Sequence, residues 1–208
     1  MVKPRDLFLI RLGESAIPAL EREGFRFATS RLRFARAQGD FRHAIHVALD
    51  RNNFEDDCSF WTIWEVTSPA YARWYRAEWG GDDAPDAVAS AMDWDVPGWT
   101  GQLRRRLTGA PGDAEVMAGF LLDVERAGLP FLAKMSNWTA AAEQLRGKRW
   151  MFDRASDFLM IAGQLERARE VILEGIRNFE VDKRPDSLKE LPRLKARLER
   201  YIHADRGH

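Results

Sequence analysis

From residue 25 to residue 67, hydrophobic and polar positions alternate in the way that is typical of β-strands. The clearest run is Phe41 to Leu49, in which every second residue is apolar or His while Arg42 and His46 lie on the other face. The tripeptide QGD at 38–40 predicts the hairpin turn before this run. The segment 58–67 (CSFWTIWEVT) has bulky residues on both faces, which predicts a third strand in a central position.

On either side of this alternation, apolar residues recur every three or four positions, as they do along one face of a helix. Gly24 occupies the position at which a left-handed residue ends a helix, and a change of parity near Ser30 predicts a bulge or a turn. The predicted helices are 15–23, one or two turns within 69–79, a short helix over 82–92, 113–127, one capped by Ser136 that ends near Gly147, a pair over 156–179 divided at Gly163, and one that starts at Pro192, with 129–135 as a connector.

These elements predict an α+β fold with an N-terminal helix, a small antiparallel sheet of about three strands and a helical C-terminal half. We expect residues 1–147 to form the α+β core domain. Residues 148–208 are expected to form a helical extension, a helix–turn–helix plus a final helix, that packs on this core. Within it, residues 159–176 (LMIAGQLERAREVILEGI) resemble one tetratricopeptide helical hairpin, but no second copy follows at the 34-residue period of such repeats.

Two stretches are similar to a known family. Residues 20–66 (LEREGFRFATSRLRFARAQGDFRHAIHVALDRNNFEDDCSFWTIWEV) and residues 127–145 (AGLPFLAKMSNWTAAAEQL) resemble the bacterial family called domain of unknown function 4304, over about residues 10–147. That family usually has a Gln near the end of its second strand, where Ala48 and Leu49 stand here. The resemblance implies an outline like that of small bacterial immunity proteins, and it supplies no catalytic residues.

Charge is balanced over the whole chain but unevenly distributed along it. The formal net charge is zero, which argues against a protein that chiefly binds nucleic acid or an anionic membrane. Residues 50–100 contain 3 basic and 11 acidic side chains, a net charge of −8. A single Cys58, no secretory leader and no apolar stretch long enough for a membrane span together predict a cytoplasmic protein.

The sequence offers few candidates for catalysis or for metal binding. His43 and His46, three residues apart on one strand, lie on opposite faces and cannot bind one ion together. Asp93 and Asp95 lack the spacing of a calcium loop, and Cys58 lacks the surroundings of a nucleophile. No catalytic residue, metal ligand or cofactor is therefore predicted.

Four arginines, Arg31, Arg33, Arg36 and Arg42, allow two interpretations. They form a phosphate-binding face with Phe34 and Phe41 as stacking platforms, or they lie over apolar surface with their guanidinium groups in water. The acidic segment that follows them favours the second interpretation.

The leading hypothesis is a non-catalytic protein-interaction module. Its binding surface is acidic and rich in Trp, and its partner is basic, since aromatic side chains anchor interfaces and charge steers association. The alternative is an enzyme or a small-ligand-binding protein with a pocket between the sheet and the helices. The predicted partner-binding residues are Trp74, Trp79, Asp82, Asp83, Asp86, Asp93, Trp94 and Asp95.

Overall fold

The computed structural model describes residues 2–80, 85–99, 101, 104–146, 148, 150–182 and 184–205. The chain divides into two compact units, Met1–Ala133 and Lys134–His208. The first unit is α+β and the second is helical, so the predicted fold class is confirmed.

An antiparallel sheet forms the centre of the first unit. Five strands follow one another in the order β1-β2-β3-β4-β5, and a sixth, β6, also pairs with β4. The prediction of about three strands was too low, because short strands of only three to six residues extend the sheet on both sides. The strands are β1 (Arg26–Ala28), β2 (Arg33–Gln38), β3 (Phe41–Leu49), β4 (Cys58–Thr67), β5 (Ala87–Met92) and β6 (Arg105–Leu107).

The turns between the first strands follow the predicted pattern. Gly39 has a φ of 57° in the hairpin between β2 and β3, where a side chain would be strained. The parity change near Ser30 corresponds to a 3₁₀ turn over Thr29–Arg31, after which Leu32 adopts a left-handed conformation with φ 46°. β4 pairs with β3, β5 and β6, which confirms its central position.

Helices cover one face of the sheet. Phe8 and Phe120 pack on Phe60 of β4, with ring centroids 5.0 and 5.9 Å apart, and Gly128 lies against the ring of Trp64. Gly24 ends the second helix with a φ of 80°, as predicted. The helices of this unit are α1 (Pro4–Arg11), α2 (Ile17–Arg22), α3 (Pro69–Trp79), α4 (Asp113–Asp123) and α5 (Leu129–Ala133), with π turns at Leu12–Ala16 and Val124–Gly128.

Two predictions in this unit were wrong. The segment 82–92 was predicted as a short helix, but Ala87–Met92 form β5, because the free edge of β4 offers hydrogen bonds to an extended chain. The connector predicted over 129–135 contains α5.

The opposite face of the sheet, which we call the open face, carries side chains that are mostly exposed or half-buried. Strand pairing places them together, because directly opposite residues in antiparallel strands point to the same side. The open face comprises Arg26, Ala28, Arg33, Ala35, Ala37, Arg42, Ala44, His46, Ala48, Trp61, Ile63, Glu65, Thr67, Ser90 and Met92.

The second unit is an array in which each helix packs on the next. Gly163, with φ 71°, separates the first long pair, as predicted. The predicted cap Ser136 is replaced by Asn137, whose Oδ1 accepts a hydrogen bond from Ala140 N, and Pro192 lies inside the last helix rather than at its start. The helices are α6 (Trp138–Arg146), α7 (Phe152–Ile161), α8 (Leu165–Asp182) and α9 (Pro185–Asp205).

Candidate functional site

One row of paired residues crosses the open face at a cleft. Arg26 of β1 is opposite Ala35 of β2, Ala35 is opposite Ala44 of β3, and Ala44 is opposite Glu65 of β4. Ala35 and Ala37, two residues apart on β2, line the cleft and form its alanine floor, whereas Ala44 is 0 % exposed and does not line it.

A charged cluster joins Glu65 of this row to Arg33 and His46, which pair in the next row. Glu65 Oε2 lies 2.8 Å from His46 Nε2 and accepts a hydrogen bond of 3.4 Å from Arg33 Nη2. All three side chains are partly exposed. The glutamate is therefore held by one guanidinium and one imidazole ring.

Two further arginines line the cleft from the strands on either side of β2. Arg42, opposite Ala37 and Thr67, is exposed, and so is Arg26. In the part of the chain that the structure describes, neither of them forms an ion pair. Both guanidinium groups are therefore available to a ligand.

The resulting cleft has a volume of about 690 Å³. This volume is in the usual range for small-molecule sites, roughly 300–1,000 Å³. Its lining includes Arg26, Arg33, Arg42, Ala35, Ala37 and two carboxylates, Glu65 and the predicted partner-binding residue Asp86.

A short repeat in the sequence signals this arrangement, and sequence reasoning missed it. The tripeptide Arg-Phe-Ala occurs at 26–28 and again at 33–35, and the two copies pair in antiparallel register. Each arginine is therefore opposite the alanine of the other copy. The phenylalanines face the helices, with ring centroids 4.6 Å apart.

The four arginines of the predicted phosphate-binding face do not lie on one face of the sheet. Arg33 and Arg42 lie on the open face, and Arg31 is exposed in the 3₁₀ turn. Arg36 is on the helix-facing side, where it lies over Phe25 and donates a hydrogen bond of 2.7 Å to the carbonyl of Glu23. The proposed stacking platforms Phe34 and Phe41 are buried in the core, so they are not available to bases.

Two further arginines at the far end of the open face are neutralised. Arg104 lies 2.5 Å from Asp50, and Arg106 forms two hydrogen bonds of 2.7 Å with Asp57. These ion pairs interrupt any row of unpaired cations from the cleft to this end of the sheet.

The predicted acidic, Trp-rich residues do not form one described surface. Asp82 and Asp83 lie outside the described residues. Asp86 is exposed at the start of β5, whereas Trp94 and Asp95 are exposed beyond its end, roughly 20 Å away for a six-residue strand. Trp74 and Trp79 are half-buried on α3, where Trp74 stacks on Tyr71.

Asp93 has an internal role instead. It is 0 % exposed, and its Oδ2 accepts hydrogen bonds from Arg105 Nη1 at 2.9 Å and from Thr62 Oγ1 at 2.9 Å. Arg105 also donates to Asp123 over 2.6 Å. The carboxylate of Asp93 is therefore bound within this buried network and is not exposed to a partner.

The histidines and the cysteine occupy the positions expected from their strands. His43 is buried while His46 is partly exposed on the other side of β3. Burial raises the pKa of the Cys58 thiol to about 12, so the thiol is not a nucleophile at neutral pH. Over the described ranges, no group of three or more His, Cys, Asp or Glu side chains is arranged to hold a metal ion.

Comparison with protein-family models, with curated proteins and with solved structures gave no match. The resemblance to domain of unknown function 4304 stays a prediction, as does the basic partner. Among the residues described, no helix combines the length and the apolar character needed to cross a membrane. Function is therefore inferred from the geometry of the cleft.

Proposed function

We propose that the chain is a binding protein and that it binds an anionic ligand in the cleft on the open face. One observation carries the proposal: Arg26 and Arg42 are both exposed, take part in no described ion pair and lie on opposite sides of an alanine floor. Arginine presents several donors in a planar fork that matches the oxygens of carboxylate and phosphate groups.

The floor of the cleft supports the same proposal. Ala35 and Ala37, which line the cleft, have no side chain beyond Cβ, so an anion can approach β2 while the longer arginines reach it from the sides. Arg33 adds a third guanidinium from the open face, against the two carboxylates of Glu65 and Asp86 in the lining. The cleft therefore retains positive charge at neutral pH.

A compact anion fits this distribution of charge better than a nucleic-acid chain does. A polyanion needs a track of unpaired cations, since affinity grows with the number of phosphates that are neutralised. Here Arg104 and Arg106, which would extend the track, are bound by Asp50 and Asp57. The zero net charge of the whole chain agrees with this argument.

The test is calorimetric titration of the full chain with inorganic phosphate and with pyrophosphate at low salt. We expect pyrophosphate to bind and the Arg26→Ala, Arg42→Ala double variant to bind at least tenfold more weakly, because each charged hydrogen bond contributes roughly 1.5–3 kcal/mol. Arg31→Ala is the matched control, since Arg31 is exposed nearby but does not line the cleft. Absence of pyrophosphate binding, or equal losses in the control and the double variant, would contradict the proposal.

A further inference from the structure

The lining of the cleft contains one carboxylate that is not held by an arginine. Glu65 is bound by Arg33 and His46. Asp86 also lines the cleft and is exposed, and among the residues that the structure describes it takes part in no ion pair. Its backbone oxygen accepts a hydrogen bond of 2.7 Å from Ser68 N, which ties Asp86 to the end of β4. The side of the cleft next to β5 therefore carries an unpaired negative charge.

This carboxylate opposes the binding of a ligand that is only an anion. Like charges placed in one site repel each other, and a ligand binds best when its own charges match those of the site in sign and order. The cleft presents positive charge from Arg26 and Arg42 on one side and negative charge from Asp86 on the other. A ligand that carries both an anion and a cation matches this order.

The strand order sets the distance between the two charged groups of such a ligand. The alanine floor lies on β2, and Asp86 directly precedes β5, which is three strands away. At about 4.8 Å per strand, this separation is about 14 Å across the sheet. The aspartate side chain and one hydrogen bond of about 3 Å shorten the interval that the ligand itself must span to about 10 Å.

The side chains between the floor and Asp86 leave room for a chain of methylene groups. Arg42 is opposite Thr67, and Thr67 is opposite Ala87, the neighbour of Asp86. Thr67 and Ala87 are small. The aliphatic stem of Arg42 presents apolar surface below its guanidinium. An extended aliphatic chain can therefore follow this row of paired residues.

We propose that the ligand of the cleft is a zwitterion whose anionic group lies above the alanine floor and whose ammonium group lies about 10 Å away at Asp86. This inference rests on the proposed function. Arg26 and Arg42 bind the anion, and the carboxylate of Asp86 accepts hydrogen bonds from the ammonium. Phosphorylated amines and amino acids with a distant terminal amine share this chemistry.

The experiment uses ligands that differ in the amine and in its distance from the anion. The full chain is titrated calorimetrically at low salt with aminohexyl and hexyl phosphate and with aminoethyl and ethyl phosphate. We expect aminohexyl phosphate to bind about fivefold more tightly than hexyl phosphate, which is the upper end of what one exposed ion pair contributes. Aminoethyl phosphate should gain no such advantage over ethyl phosphate, because its ammonium does not reach Asp86 while its phosphate lies on the floor.

A parallel titration with ω-aminooctanoate and octanoate distinguishes the two sources of the anion. These compounds have a similar length but carry a carboxylate in place of the phosphate. The amine should confer the same advantage in both series, and the series that binds more tightly identifies the anion of the ligand.

Substitution of Asp86 locates the effect. In Asp86→Asn, which keeps the size of the side chain, the advantage of aminohexyl phosphate should disappear. Hexyl phosphate should bind this variant at least as tightly as the wild type, because a repelling charge is gone. Asp95→Asn is the matched control, since Asp95 is exposed beyond the other end of β5 and does not line the cleft. Circular dichroism checks that both variants keep the fold.

The outcomes separate this inference from the proposed function. If aminohexyl phosphate binds no more tightly than hexyl phosphate, or if its advantage survives Asp86→Asn or is lost in Asp95→Asn, the inference is overturned while anion binding stands. An equal advantage for aminoethyl phosphate contradicts the stated separation of charges. If neither pyrophosphate nor any of these phosphate compounds binds, the proposed function fails together with it.

Discussion

Two aspartates in one short turn show that the surroundings of a residue decide whether its side chain is buried or exposed. Asp93 and Asp95 belong to the same 3₁₀ turn, yet Asp93 is fully buried against Arg105 and Thr62 while Asp95 is exposed. A buried carboxylate needs a cation and hydrogen bonds to balance the loss of water. Arg105, twelve residues along the chain, supplies both.

Replacement of Asp93 should therefore destabilise the protein strongly. We expect Asp93→Ala to lower the free energy of unfolding by about 3–5 kcal/mol, because Arg105 loses one of its two buried carboxylates. Asp95→Ala is the control, and its effect should stay within about 0.5 kcal/mol. Urea unfolding measures both variants, and similar values for the two would show that the buried network contributes little.

Cys58 should react slowly with thiol reagents as long as the protein is folded. Burial raises the pKa of its thiol from 9.0 to about 12, so almost no thiolate forms between pH 7 and 9. Ellman's reagent should modify Cys58 of the native protein only as fast as the protein unfolds enough to expose the thiol. It should modify the urea-unfolded protein rapidly. Fast modification of the native protein at pH 8 would contradict this assignment.

The same pKa shift has a consequence for stability. The pKa of the Cys58 thiol is higher in the folded than in the unfolded protein. The contribution of the buried thiol to the free energy of unfolding is therefore fully present below pH 9 and is lost as the pH rises towards 12. The slope is at most about 1.4 kcal/mol per pH unit for one proton. The difference in unfolding free energy between the wild type and Cys58→Ala should shrink over this range, and a constant difference would argue against the shift.

At the scale of elements, interactions within a few residues account for the correct predictions. The hairpin of β2 and β3 and the break at Gly163 follow from alternation and from glycines with positive φ, whereas α3, at 11 residues, is longer than the one or two turns predicted. The predicted helix over 82–92 failed because Ala-rich sequences such as 87–92 adopt either state. Hydrogen bonds to the free edge of β4 decide in favour of the strand.

Packing between helix and sheet makes two glycines respond in opposite ways to the same substitution. A Cβ at Gly128 would lie 2.2 Å from the ring of Trp64, whereas a Cβ at Gly119 in α4 would meet nothing within 4 Å. We expect Gly128→Ala to destabilise by about 1–3 kcal/mol through overpacking. Gly119→Ala should stabilise by about 0.5–1 kcal/mol through the lower flexibility of the unfolded chain. Thermal and urea unfolding of the pair checks both signs, and a stabilising Gly128→Ala would contradict the packing described.

At the scale of the whole molecule, each unit contains its own core and its own buried ion pair. In the second unit, Arg197 of α9 forms two hydrogen bonds with Asp157 of α7, of 3.2 and 3.0 Å, and Tyr201 donates a third of 2.9 Å. Burial raises the pKa of Asp157, and the hydrogen bonds from Arg197 and Tyr201 oppose that effect. This cluster links the first and last of the three helices α7, α8 and α9.

Removal of this pair should loosen the second unit. The Arg197 side chain is 4 % exposed and that of its neighbour Arg193, which pairs with Asp153, is 48 % exposed. We expect Arg197→Ala to cost about 3–5 kcal/mol and Arg193→Ala about 0–1 kcal/mol. Hydrogen exchange of the full chain should show faster exchange in α7, α8 and α9 for Arg197→Ala. Unchanged protection there, or an equal effect in the control, would contradict this role.

The sequence by itself determined the elements whose signals are local. These include the alternation over 25–67, the helical spacing over 156–179, and the glycines at 24 and 163. Such features depend on contacts within about one turn or one hairpin, which the neighbouring residues specify.

Only the tertiary structure decided which side chains meet. Arg26, Arg33 and Arg42 line the same cleft because the registers of β1, β2, β3 and β4 place them on one face. Register is set by the hydrophobic face of all the strands together, and a shift of one residue would turn every arginine to the other side. Asp93 became an internal residue for a similar reason, since the burial of a charge depends on a partner that only the fold brings into contact.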